Sequence, residues 1–198
     1  MARETQALVS FQVLVIGSRG AGKSTLLRAA LNDAADGAAY EELADGVQTR
    51  KIACQHNAFS AVVDFIEFPA DERYVALLPY FGCSAAAVAL VVNISDPNGY
   101  PDLCSRLAAL GSPPPCGLLA VQGSLPASVA SGEERKRLEP LRDVATRWGL
   151  KFLRFESLEQ LGRARLLHAV CDLVLGDVPE GADAMHLLGR RVTRGKAL

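Results

Sequence analysis

The chain has 198 residues, 49% of them hydrophobic and 22% charged, which suits one globular domain with a sizeable core and excludes a disordered composition. Lys plus Arg number 21 against 22 Asp plus Glu, a formal net charge of -1, so a bulk polycation for nucleic acid is excluded and no direct nucleic-acid contact is expected. The longest apolar run, Ala85–Val92, is far short of the about 20 residues that span a bilayer.

Met1-Ala2-Arg3 is not a myristoylation start, and Gly195-Lys196-Ala197-Leu198 holds no prenylation cysteine. No membrane anchor is therefore expected. Cys54, Cys83, Cys104, Cys116 and Cys171 are odd in number, widely spaced and form no CxxC pair. A reducing compartment, nucleus or cytoplasm, fits that usage.

Residues 8–16, LVSFQVLVI, read as a buried first strand. Residues 17–24 form a glycine-rich loop, and Lys23 to Leu31 carries a helical apolar pattern. Residues 32–46 read as loop or irregular chain. Residues 47–56 and 60–68 read as two strands in a hairpin, followed by a turn at 69–72 and a short helix over 72–82. Ala86–Ile94 is a continuous apolar run and reads as a central strand buried on both faces. A helix over Pro101–Leu110 is stopped by Gly111-Ser112-Pro113-Pro114-Pro115. Gly117–Val121 is the next buried strand. Ser131 and Glu134 form a capping box for a helix whose inner face is Leu138, Leu141, Ala145 and Trp148, with Pro140 marking either a kink or a later start. Lys151–Phe155 is the last strand and Leu158–Leu175 the last helix, ended by Gly176. The alternation predicts an α/β three-layer sandwich with a six-stranded, mostly parallel sheet. One domain over 8–176 is followed by a basic, amphipathic extension over 177–198, where Leu187, Leu188 and Val192 lie beside Arg190, Arg191, Arg194 and Lys196.

The strongest motif is Gly17-Ser18-Arg19-Gly20-Ala21-Gly22-Lys23-Ser24, a full match to GxxxxGK[ST] between a strand and a helix. Such a loop turns backbone N–H groups onto phosphate oxygens, and the helix N-terminus adds its positive end. Gly17, Gly20, Ala21, Gly22, Lys23, Ser24 and Thr25 are the candidate phosphate-binding residues. Lys23 would reach the outer phosphates and Ser24 would hold Mg²⁺.

With its element order and length, this motif resembles the Ras-like small GTPases over roughly residues 10–175. Residues 67–74, EFPADERY, fall where that family has its DTAGQE-type stretch. Residues 86–96 resemble its fourth strand and following loop, and Gly46-Val47 its TxGV segment. The resemblance implies a P-loop small-GTPase-like fold, with departures at the chemistry. Ala44 stands where the switch threonine would ligate Mg²⁺, and Thr49 is out of register. Glu67 replaces the shorter second-sphere Asp and is the second metal candidate, with Asp64 as a substitute if the register slips. Ala70, behind Pro69, replaces the phosphate-sensing glycine, and Asp71 the water-orienting glutamine. Gln122-Gly123-Ser124-Leu125 stands in place of NKxD, so Leu125 cannot accept hydrogen bonds from a guanine edge. Only Ser157 matches the final base loop. These departures imply a pseudo-GTPase with a retained phosphate loop and no appreciable hydrolysis.

Residues 165–189, RLLHAVCDLVLGDVPEGADAMHLLG, resemble the end of the centromere protein M family, small-GTPase-like subunits of the inner kinetochore. Gly176, Val178, Pro179, Ala184, Leu187 and Leu188 carry that resemblance. It implies a nuclear scaffold at the centromere that docks larger subunits of a multi-subunit complex and requires no cofactor. The alternative is an atypical Rab- or Ras-like switch in membrane or ciliary trafficking, taking a nucleoside di- or triphosphate with Mg²⁺. Two further spacings are noted: Cys54 and His56 on one face of a strand, and His168 and Cys171 one helical turn apart. Both read as ordinary structural positions. No GxSxG nucleophile motif is present.

Overall fold

The computed structural model describes residues 7–31, 40–42, 46–56, 59–112, 114, 116–125, 131–155 and 163–176. Strand β1 (Ala7–Ile16) leads into helix α1 (Lys23–Leu31). Then come β2 (Tyr40–Glu42), β3 (Gln48–His56) and β4 (Phe59–Glu67). A 3₁₀ turn at Glu72–Leu77 precedes α2 (Leu78–Ser84) and β5 (Ala87–Asn93). The chain continues through α3 (Gly99–Leu110), β6 (Gly117–Gln122), α4 (Ser131–Trp148), β7 (Lys151–Phe155) and α5 (Arg163–Leu175).

The sheet order is β2-β3-β4-β1-β5-β6-β7. The six expected strands form its body, and the three-residue β2 is added at the edge. β1, β4, β5, β6 and β7 pair in parallel, while β2 and β3 run antiparallel to their neighbours. The protein is therefore an α/β three-layer sandwich on a mostly parallel sheet.

Strict alternation splits the core in two. Val13, Val15, Ala87, Ala89, Val91, Leu118 and Ala120 face one side, against Leu26 and Leu27 of α1 and Leu166, Val170 and Val174 of α5. Leu14, Ile16, Val88, Leu90, Val92, Leu119 and Val121 face the other, against Leu78 of α2, Leu103 and Leu107 of α3 and Leu141 and Val144 of α4. Burial on both faces is why β5, β6 and the second half of β1, Val13 to Ile16, read as unbroken apolar runs. Among the described residues no helix is long and apolar enough to cross a membrane.

Boundaries differ from expectation in few places. The segment read as loop over 32–46 contains β2, which pairs Tyr40–Glu42 with Gln48–Arg50. The helix read over 72–82 divides into a 3₁₀ turn and α2, with Pro79 in the first turn of α2. α3 starts at Gly99 and carries Pro101 early, where its missing N–H costs nothing. Pro140 sits inside a continuous α4. Glu134, expected in a capping box, pairs with Arg154 of β7. Trp148 is half-buried against the α2–α3–α4 side of the core. Residues 158–162, Ala44, Ser157 and the extension over 177–198 lie outside the described residues.

Leu90 is fully buried at the centre of β5, so Leu90→Ala should cost about 2–5 kcal/mol of unfolding free energy, read from urea denaturation.

Candidate functional site

The site is built from the end of β1 outward. Sheet register places Val15 opposite Glu67 and Ile16 opposite Leu90. The chain leaves β1 at Gly17, where an added Cβ would meet the Val91 carbonyl oxygen at 2.3 Å. Only glycine permits that approach of loop to strand. The loop then turns through Gly20 (φ 78°) and Gly22 (φ 88°), with Ala21 buried beneath it. Leu26 N–H donates to the Gly22 carbonyl at 2.8 Å, closing the first turn of α1.

Lys23 folds back into this loop. Its Nζ donates to the carbonyls of Gly17 at 2.9 Å and Ser18 at 3.2 Å, and the residue is only 7% exposed. Burial pushes its pKa below the ordinary lysine range. The Glu67 carboxylate works against that, and the Arg106 guanidinium adds to it. Ser24 Oγ donates to Glu67 Oε1 at 2.5 Å, across 43 residues of sequence. Glu67 Oε2 is buried and has no hydrogen-bond partner among the described residues. Glu67 thus stands at the end of β4 beside the first turn of α1. Asp64 lies further back on β4, opposite Gln12 and Lys51. Thr25 is exposed on the first turn of α1, and Thr49 is held within β3 opposite Ile66.

Gln122, at the end of β6, donates its amide N–H to the Ala21 carbonyl, 101 residues away. A Cβ on Gly22 would fall 1.6 Å from Gln122 Nε2. The side chain therefore clamps the loop against the sheet. The residues after Gln122 are braced in turn. Ser95 Oγ donates to the Ser124 carbonyl at 2.9 Å. Arg154 donates to the carbonyls of Gly123 and Phe155 and pairs with Glu134 at 2.5 Å. Leu125 is half-buried at the end of this segment.

On the other side, Phe68 N–H donates to the Val15 carbonyl at 2.9 Å, holding the chain beyond β4 close to the loop. The Ala70 carbonyl accepts from Arg106 Nη2 at 2.8 Å. Arg106 is 4% exposed, pairs with Asp102 through Nε at 2.8 Å, and leaves Nη1 without a hydrogen-bond partner among the described residues. Asp71 caps the 3₁₀ turn by accepting from the Arg73 N–H at 3.0 Å. Its carboxylate also pairs with the Arg73 guanidinium at 2.8 Å, which holds its pKa below the ordinary carboxylate range. The Arg73 guanidinium thus neutralises the Asp71 carboxylate.

The fold brings Gly17, Gly20, Ala21, Gly22, Lys23, Ser24 and Glu67 to one place. Sequence reasoning missed Gln122 as a clamp and Arg106 as a buried cation behind Ala70. The i,i+4 spacing of Asp102 and Arg106 was the one signal available for the latter.

Among the described residues, no group of three or more His, Cys, Asp or Glu is arranged to hold a metal by itself. A magnesium ion here would need oxygens from a ligand beside Ser24 and Glu67, which is the ordinary way Mg²⁺ is held on phosphates. The donor set fits such an ion. A hydroxyl and a buried carboxylate with a spare oxygen stand beside a buried ammonium.

Gly17→Ala should lower stability by about 1–3 kcal/mol in urea denaturation, because the obstructing Val91 oxygen is backbone and cannot swing aside. No protein-family model matches the chain, and no curated protein matches it. What the site can do therefore follows from its own geometry.

Proposed function

We propose that this is a P-loop, small-GTPase-like domain that binds a magnesium–nucleoside phosphate without appreciable hydrolysis. The observation that carries the reading is the pairing of a buried Lys23 with Ser24 on Glu67 at the end of β1. Holding an ammonium in a loop of low accessibility is costly by itself. An anion of high charge at the loop removes that cost. Gly17–Gly22 would offer N–H groups to phosphate oxygens, Lys23 its charge, and Ser24 with Glu67 the metal's protein side. The bound Mg²⁺ would neutralise phosphate charge and orient it. The glycine loop leaves β1 between the parallel strands β4 and β5, and this position supports the reading.

The residues for turnover are not supplied. Ala70, preceded by Pro69, spends its carbonyl on Arg106, and Asp71 spends its carboxylate on Arg73 and the 3₁₀ cap. Neither can orient an attacking water as an amide side chain does. A domain of this kind acts as a scaffold. Leu77 and Tyr80, 45% and 75% exposed beside the phosphate loop's neighbouring 3₁₀ turn and α2, support docking of a larger protein. We assign that docking to the inner kinetochore, in the nucleus, on the resemblance carried by residues 165–189. The trafficking switch is the second reading, favoured by the retained Lys23–Ser24 pair.

Lys23→Ala should lower the affinity for a magnesium–nucleoside triphosphate about tenfold or more in titration calorimetry, with the fold intact. Equal affinities overturn the site assignment. Guanine and adenine triphosphates should bind within about tenfold of each other, because Leu125 cannot read a base edge. Single-turnover hydrolysis should stay below the ~3–5 × 10⁻⁴ s⁻¹ of an unassisted intact relative.

The pH dependence has a definite sign. Free Lys23 has a lowered pKa, and a bound phosphate raises it again. Binding therefore takes up a proton once pH passes the lowered free value, and affinity should fall as pH rises from there toward the ordinary lysine range. Calorimetry in buffers of different ionisation enthalpy reads that proton directly, and Lys23→Arg should flatten it. For the cellular role, a tagged copy in dividing cells should recover inner-kinetochore subunits and give centromeric foci. A vesicular or ciliary signal would move the assignment to the switch.

A further inference from the structure

Cys54 of β3 and Cys171 of α5 stand apart from the phosphate site, on the face of the sheet covered by α1 and α5. Their sulfurs lie 3.7 Å apart across 117 residues of sequence. Cys54 is half-buried and Cys171 is buried. The surroundings fix both partners. His56, two residues along β3, is buried and pairs with Asp172 at 3.2 Å, and its ring lies 5.5 Å from that of His168. Lys151 of β7 reaches the same Asp172 at 3.6 Å. Strand β3 is thereby registered on α5 by polar contacts flanking the sulfur pair.

We infer that Cys54 and Cys171 form an oxidisable pair, a modification site that takes a small-molecule disulfide such as oxidised glutathione and closes an internal disulfide between β3 and α5. The separation must shrink from 3.7 Å to about 2 Å, a change within reach of side-chain rotation and a slight shift of the helix. The asymmetry of exposure orders the steps. Cys54, the accessible sulfur, loses its proton to solvent and attacks one sulfur of the small disulfide. A protein–glutathione bond forms, and one glutathione leaves as thiolate. Cys171, buried behind it, then attacks the Cys54 sulfur. The internal bond forms, and the second glutathione leaves with the remaining proton. Two protein thiols are oxidised and one small disulfide is reduced to two thiols.

Burial and the neighbouring Cys54 hold the Cys171 thiol well above the ordinary range. Cys171 is thus the slower of the two to ionise, so it does not react first, and its 3.7 Å approach to Cys54 is what brings it to the mixed disulfide second. The remaining cysteines serve as internal controls. Cys83 is exposed and far in sequence from either, and Cys116 donates to the Leu173 carbonyl at 3.2 Å.

The test uses the full chain, reduced, freed of reductant and incubated with oxidised glutathione, then quenched with an alkylating agent. Peptide mapping of the wild type should show Cys54 joined to Cys171, with a mass about 2 Da below the two thiol peptides. Cys83 should carry a simple glutathione adduct. Cys171→Ser should leave a persistent glutathione adduct on Cys54, and Cys54→Ser should leave Cys171 unmodified. The joined form should melt several degrees higher than the reduced form, since the bond closes a long loop. A stable Cys54 adduct in the wild type, no joined peptide, or joining through Cys83, Cys104 or Cys116 overturns the proposal. The wild-type map decides even if a serine variant fails to fold.

Discussion

The position of β1 between β4 and β5 is the constraint from which the site follows. Both neighbours run parallel to β1, so three strands end together, and the chain leaving β1 must turn over the tips of the other two. At that point strand order reverses direction along the sheet, and a crevice opens beyond the carboxyl ends. Register then sets the contents of the crevice. With Val15 opposite Glu67, the last residue of β4 lies within reach of a side chain on the first turn of α1. A slip of one residue would turn Glu67 to the other face and present Ile66 to Ser24. The first half of β1 opposes the slip, since Val9 and Phe11 are buried while Ser10 and Gln12 alternate with them on the exposed side.

How much of this could be read beforehand depended on distance along the chain. Strands buried on both faces advertise themselves, as Ala87–Asn93 and Gly117–Gln122 do. The phosphate loop is local, and its motif carries its own mechanism. Glu67 was legible as a candidate because a family resemblance supplied the register. Tyr40–Glu42 was not, because a three-residue edge strand with two glutamates has no apolar alternation. The clamp by Gln122 and the sulfur pair of Cys54 and Cys171 join residues 101 and 117 apart. No spacing rule links them. The two Cys/His pairs noted along the chain were each unremarkable alone. The sheet and α5 bring them face to face.

Electrostatics separate the retained part of the site from the part given up. Lys23, Glu67 and Arg106 are all nearly buried, and two of the three are cations. Arg106 has Asp102, and Lys23 has two carbonyls and the field of Glu67. Two cations meet two carboxylates here, and among the described residues one carboxylate oxygen and one guanidinium nitrogen have no hydrogen-bond partner. A purely structural use of the fold gains nothing from such a cluster, and an apolar replacement of similar volume would ordinarily be no less stable. Within that cluster the buried Lys23 ammonium is the group that the proposed anion would meet.

The base side carries the opposite lesson. Its polar groups are present, but they are directed into the protein. The Gln122 amide is on the Ala21 carbonyl, the Ser95 hydroxyl on the Ser124 carbonyl, and the Arg154 guanidinium on Gly123, Phe155 and Glu134. Each contact fixes the loop after β6 against the phosphate loop, β5, β7 or α4. A base edge needs donors and acceptors left over after the loop is built. Here Gln122 and Arg154 have been spent on shape, and Leu125 offers neither. Rigidity of the phosphate loop and selectivity for a base are thus drawn from the same small set of side chains. In this chain rigidity has taken them, so the loop keeps the shape that the proposed phosphate site needs while no side chain of this set is left over to read a base.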